Sequence, residues 1–183
     1  QAVVAGCTAL DTYLPSLLRV NLPTSIRAFG RDFIPRDDAI VMEFFQDLTF
    51  SLDETLRLLA DPNAAEYIAN KILGLTNFSY LSSRKGVHVT GRLLGVQNPW
   101  DQISNQLGRD KKEMGTALFE ISERRNSIVH RADRSKEDPD GHPQEISYAW
   151  AKRSVDTVEH ISLALDEIVQ TKMNELQAVI NAR

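Results

Sequence analysis

Residues 110–132 read DKKEMGTALFEISERRNSIVHRA, and this stretch decides the fold class. Met114, Leu118, Ile121, Ile128 and Ala132 recur at three-, four- and seven-residue spacings, which sets one apolar stripe along an α-helix and fits no alternating strand. The pattern predicts a helix from Asp110 to about Arg131. Arg125 interrupts the stripe, because at 100° per residue it falls within about 40° of Ile121. A guanidinium on an inward face needs an acceptor or water. Arg125 is therefore expected to face a wet cleft, a subunit interface or a carboxylate on another helix.

His130 follows on the same helix, rotated by about 140° from Arg125, while Asn126 shares its face at i and i+4. A guanidinium neutralises phosphate and an imidazole moves protons near neutral pH. Arg125 and His130 together thus make an economical pair for cleaving RNA, once something brings them to one place. Either the helix unwinds near His130, or a second copy of the chain sets its own pair alongside, which favours a symmetric dimer. Asp133 is placed to orient the imidazole or to cap the following loop. Glu123, Arg124, Asn126 and Ser127 are supporting candidates for holding phosphate, water or ring nitrogens. A histidine near a helix C-terminus also has a purely structural use, since the helix dipole favours a cation there. With 14 arginines and 4 histidines, about one arginine–histidine spacing of this kind arises by composition alone. Arg153 and His160 supply such a match on a solvated flank and are set aside.

The rest of the chain is helical in pattern too. Val3, Val4, Cys7, Leu10, Leu14, Leu17 and Leu18 predict a first helix over residues 1–21, bent or broken at Pro15. A connector through Pro23 to Pro35 follows. Asp37 or Asp38 caps a second helix, Ala39 to Leu59, striped by Val41, Phe44, Phe45, Leu48, Leu52, Leu56 and Leu59. Asp61-Pro62-Asn63 ends it and starts a helix from Ala64 to Leu73. Short helices are expected over Val87–Leu94 and Trp100–Leu107, and residues 133–144 read as a loop rich in Asp, Pro and Gly. A long last helix runs from Glu145 to about Ile180, with Trp150, Val158, Ile161, Leu165, Ile168 and Leu176 inward. No internal repeat stands out.

The 183 residues suit one well-filled core, and a chain opening at Gln1 reads as a single domain, 1–183, or as a piece of a longer polypeptide. No apolar run is long enough for a bilayer crossing. Ala2-Val3-Val4-Ala5-Gly6 lacks a basic region before it, which argues against a signal peptide. A single cysteine, Cys7, forms no internal disulfide and sits on the apolar face of the first helix, as expected in a reducing cytoplasm. No zinc spacing is present, and no metal or cofactor is expected. The net charge of −4 is unevenly spread. Residues 1–80 carry 6 basic and 10 acidic groups, residues 81–136 carry 11 and 6, and residues 137–183 carry 4 and 9. The Arg125–His130 run lies in the one basic third, which supports RNA as a partner.

Arg125-Asn126-Ser127-Ile128-Val129-His130 resembles the signature of the HEPN superfamily, the higher eukaryotes and prokaryotes nucleotide-binding domains: arginine, a polar residue, three more residues and histidine. With Gly95-Val96-Gln97-Asn98-Pro99-Trp100, Leu107-Gly108 and Asp133, the region 85–135 looks like the RiboL-PSP-type branch. The resemblance implies an all-α helical bundle that dimerises, with the motifs of two subunits in one cleft. It further implies a metal-independent endoribonuclease of the toxin–antitoxin or anti-phage kind, restrained by an antitoxin or regulatory domain, with Arg125 and His130 catalytic and Asn126 as the polar motif residue. The branch neutralised by nucleotidylation carries a tyrosine two residues after the histidine. Ala132 stands there instead, which argues against that antitoxin mechanism. Some members of the superfamily are not nucleases, so a non-catalytic module binding RNA or nucleotide, or a dimerisation domain of a larger defence protein, is the alternative.

Overall fold

The structure, a computed structural model, describes residues 1–75, 81, 83–134 and 142–183. Eight α-helices and no strands are found among them: α1 Ala2–Phe29, α2 Ala39–Phe44, α3 Leu52–Leu58, α4 Ala64–Leu73, α5 Arg84–Leu93, α6 Pro99–Leu107, α7 Lys111–Arg131 and α8 Tyr148–Asn181. None is long and apolar enough to cross a membrane. The all-α bundle with a long C-terminal helix is the architecture the periodicity predicts.

The first helix departs from expectation. It runs unbroken for 28 residues through both Pro15 and Pro23, so the predicted break and most of the predicted connector are helix, closed by a single 3-10 turn over Gly30–Asp32. A proline inside a helix costs about 3 kcal/mol. Here Leu10, Leu14, Leu17, Leu18, Leu22 and Ile26 are all buried along one side, and each such side chain contributes about 1.5–3 kcal/mol. Their combined burial outweighs two prolines on partly exposed flanks. α1 thereby becomes the axis of the molecule, lying along α8 on one side and meeting α4, α5 and α7 around the others. One continuous hydrophobic cluster joins them.

The predicted helix from Ala39 to Leu59 is two helices. Asp38 caps α2, its Oδ1 accepting from the backbone of Ile40 and Val41. Ser51 restarts the chain as α3 through a capping box with Glu54. The single stripe was an accident of phase: Val41, Phe44 and Phe45 are buried, whereas Leu52, Leu56 and Leu59 are 76%, 58% and 79% exposed. α3 is fastened to α4 by polar contacts instead, because Glu54 accepts from the Tyr67 hydroxyl at 2.7 Å and from the Lys71 ammonium at 2.5 Å. Those donors hold the Glu54 carboxyl down at about 2. A carboxyl depressed in the folded state stabilises above its ordinary range and loses that contribution as pH falls through the folded value. Thermal melts of the unaltered protein and Glu54→Gln, followed from pH 5 down to 2, are expected to converge as the pH drops.

The remaining helices follow their predicted places closely. α4 has the predicted ends, Asp110 caps α7 by accepting from Glu113 at 2.8 Å, and Ser147 caps α8. Residues 135–141 of the predicted 133–144 loop lie outside the described residues. One glycine is required by a close approach: a Cβ on Gly86 would stand 2.0 Å from the Leu81 carbonyl oxygen.

Candidate active site

α7 carries the motif to its last turn and stays helical through Arg131. The helix does not unwind near His130, so that route to joining Arg125 and His130 within one chain is closed. Unwinding starts one residue after the helix ends, where Ala132 and Asp133 both adopt left-handed φ, 49° and 62°. The backbone N–H of Asp133 returns to the Ser127 carbonyl at 3.0 Å, and the Ser127 hydroxyl donates to the carbonyl of Arg134 at 3.1 Å. Ser127, rather than Ile128, is the residue of this turn that is buried. A left-handed alanine is strained by about 1 kcal/mol relative to glycine. Ala132→Gly should therefore raise stability by roughly that amount, read as a later midpoint in urea unfolding.

Arg124 and Asp133 form a clasp. The Arg124 Nε lies 2.9 Å from Asp133 Oδ1, an Nη2 hydrogen bond reaches Oδ2 at 2.9 Å, and the same nitrogen donates to the backbone carbonyl of Gln144 at 2.9 Å. Nη1 donates to the Gln144 side chain. This corrects one expectation: Asp133 does not orient the imidazole of His130, because its carboxylate is taken up by Arg124. The bidentate pair is the geometry for which a guanidinium is suited, and here it ties the end of α7 to the segment entering α8.

Arg125 points the other way, to α1. Its Nη2 donates to Asp11 Oδ2 at 3.3 Å and its Nη1 to Asn126 Oδ1 at 3.0 Å. The Arg125 and Asp11 side chains keep 28% and 25% of their exposure, so this is a half-buried pair at a helix seam. Its Nε is sealed from solvent without a hydrogen bond. Cys7, one turn before Asp11, lies in the core, where burial pushes its thiol up against the opposing pull of the Arg125 charge. Three of the guanidinium's five N–H donors have no protein acceptor, and those on the exposed edge are available to a ligand.

His130 is exposed and has no hydrogen-bond or ion-pair partner among the described residues, and the same holds for Glu123. The structure thus brings Arg125, Asn126 and Asp11 together, pairs Arg124 with Asp133, and leaves His130 and Glu123 on the surface. Beside the His130 turn, Ile128 and Val129 join Val4, Ala5, Thr8 and Thr12 of α1 in an open apolar groove of about 850 Å³. No group of three or more His, Cys, Asp or Glu stands close enough to hold a metal ion among the described residues.

A second constellation was not anticipated from the sequence. Asp38 Oδ2 meets His88 Nε2 at 2.8 Å and accepts from Arg92 Nε at 2.9 Å. Burial works against the Asp38 charge, but hydrogen bonds from His88 and the Val41 N–H, with the charges of His88 and Arg92, outweigh it and hold the carboxyl below its usual range. His88 and Arg92 are spaced i, i+4 on α5, the one signal in the sequence that they share a face. Their carboxylate lies 50 residues upstream of His88. No family model, curated protein or solved structure matches the chain.

Proposed function

We propose that this chain is a metal-independent endoribonuclease of the HEPN kind, acting as a symmetric pair. The observation that carries the reading is His130: an imidazole with no structural task, exposed on the last turn of α7, one helical turn from an arginine with unused donors. The resemblance of Arg125–His130 to the superfamily signature and the basic charge of residues 81–136 support it. Because Arg125 and His130 occupy different faces of α7, a complete site needs a second subunit, with the apolar groove beside them as the natural seam. His130 then takes the proton of a ribose 2′-hydroxyl, the freed oxygen attacks the adjacent phosphorus, and the 5′-oxygen leaves with a proton from His130 of the partner subunit. Arg125 stabilises the charge gathering on the phosphoryl oxygens. The products are a 2′,3′-cyclic phosphate and a 5′-hydroxyl, and DNA, without the 2′-hydroxyl, is spared.

The test is an assay on total RNA with and without EDTA, with the product ends identified. Scission that persists in EDTA and leaves cyclic phosphate is expected. Arg125→Lys is the informative variant, since it retains a charge opposite Asp11 while losing the planar fork. Cleavage should fall on the order of a hundredfold with little change in melting temperature.

The Arg125–Asp11 pair favours one other reading, a non-catalytic module in which Arg125 serves the α1–α7 seam and the basic third binds RNA or nucleotide. That protein would bind RNA in a salt-dependent manner and never cut it, and Arg125→Ala would loosen the seam or dissociate the subunits.

A further inference from the structure

The cleft at the far end of α1 is built for a ligand of its own. Phe29 closes α1 and lies 18 residues beyond Asp11, about 27 Å at 1.5 Å per residue. A cavity of about 680 Å³ opens there, with Phe29 and Phe33 among its apolar lining and Asp37, Asp38, His88 and Arg92 among its polar lining. The size falls in the range of small-molecule sites, about 300–1,000 Å³, and so does the composition, apolar rings with a few convergent polar groups.

The hydrogen-bond inventory narrows the ligand. Asp38 is fully committed, with Ile40 and Val41 N–H on one oxygen and His88 and Arg92 on the other. An ionised carboxylate only accepts, so His88 Nε2 carries the hydrogen of that bond and a neutral ring leaves Nδ1 as an acceptor. Arg92 spends Nε on Asp38 and Nη2 on Asp37 at 3.3 Å, leaving Nη1 as a donor. Neither His88 Nδ1 nor Arg92 Nη1 has a partner among the described residues, and neither is among the buried polar atoms sealed from solvent. Asp37, 85% exposed, has carboxylate acceptors to spare. The cleft thus offers one donor and at least two acceptors.

Charge excludes the simplest ligands. Asp32, Asp37 and Asp38 face a single Arg92 across the lining, which repels phosphates and carboxylates. A bare cation meets the Arg92 guanidinium at the floor. What remains is a neutral planar ring with one acceptor beside two donors, and among nucleobases only guanine carries that edge: O6 accepts, N1–H and the 2-amino group donate. Arginine is the habitual partner of guanine O6, and aromatic side chains accept base faces. We propose that this cleft binds a guanine base, Asp37 and His88 taking its donors and Arg92 its carbonyl. The proposal stands apart from the cleavage reading and does not need it.

The base has two sources, free guanosine or a guanine in single-stranded RNA, and calorimetric titration separates them. Guanosine, inosine and adenosine are titrated into the unaltered protein and Asp37→Asn, alongside 2′-O-methyl pentanucleotides with and without one guanine. Those oligomers lack the attacking hydroxyl, so binding is read whether or not the protein cleaves RNA. Saturable binding of guanosine at least tenfold tighter than adenosine, with inosine between, and a tenfold or greater loss in Asp37→Asn at unchanged melting temperature is the expected result. The same pattern confined to the guanine-containing oligomer also supports the site and assigns its ligand to RNA. Equal affinity for guanine and adenine ligands, an Asp37→Asn variant that binds as before, or no saturable binding of either guanine source overturns the proposal.

Discussion

His130→Ala should melt where the unaltered protein melts and cleave RNA at least a hundredfold more slowly. The first half follows from the structure alone, since the imidazole is exposed and bonds to nothing among the described residues, and surface substitutions of that kind stay within about 0.5 kcal/mol. Its small benefit to the C-terminal dipole of α7 is the one term lost. The second half follows from the proposed chemistry, where proton transfer by a placed side chain contributes about 10²- to 10⁴-fold. In a symmetric pair one substitution removes both the base and the acid, so the loss belongs at the upper end of that range. Full cleavage by the variant would remove His130 from the mechanism and leave the non-catalytic reading in possession. Melting curves on the same preparation keep a folding defect from passing as a catalytic one.

Gly86→Ala carries the largest expected effect on stability, a loss of about 3 kcal/mol or more. The added Cβ would meet the Leu81 carbonyl oxygen at 2.0 Å and its carbonyl carbon at 2.4 Å. Backbone atoms cannot swing aside as a flexible side chain does. Relief requires α5 to shift away from Leu81, and α5 carries Val87, Val89 and Leu93 into the core. Since whole domains are held by about 5–15 kcal/mol, much of the margin would go. Gly74→Ala is the control, because its added atom would find nothing nearer than 3.4 Å. The urea midpoint should move far to lower concentration in the first variant and little in the second. A Gly86→Ala protein as stable as its parent would mean that the approach of Leu81 to α5 is wrongly placed.

The sequence made the helices legible wherever a cap adjoined a coherent stripe. Asp110 before Met114 and Leu118, and the Pro99–Leu107 segment closed by Gly108, needed nothing beyond local patterning. Pro15 and Pro23 misled, because a local rule prices a proline without knowing how much leucine the finished core will bury around it. Ser51-Leu52-Asp53-Glu54 held a capping signal, yet an apparently continuous run of apolar residues masked it. At the site, the motif and the inward phase of Arg125 were legible. Its acceptor was not, since Asp11 is 114 residues away and any of the chain's carboxylates fits the same requirement. Asp133 was assigned to the nearest imidazole, whereas the longer reach of Arg124 claims it. The Asp38–His88–Arg92 cluster stayed hidden because nothing local joins an N-cap to a helix 50 residues on.

Pro15 gives α1 a further property. Having no N–H, it leaves the carbonyl of Asp11 without its partner in the helical ladder, at the very residue whose carboxylate meets Arg125. Prolines are where long helices flex. The counterion of the motif arginine therefore rides on the most compliant joint of an otherwise stiff rod, and a phosphate arriving at Arg125 can displace it by a slight bow of the backbone, with the packing on either side left undisturbed.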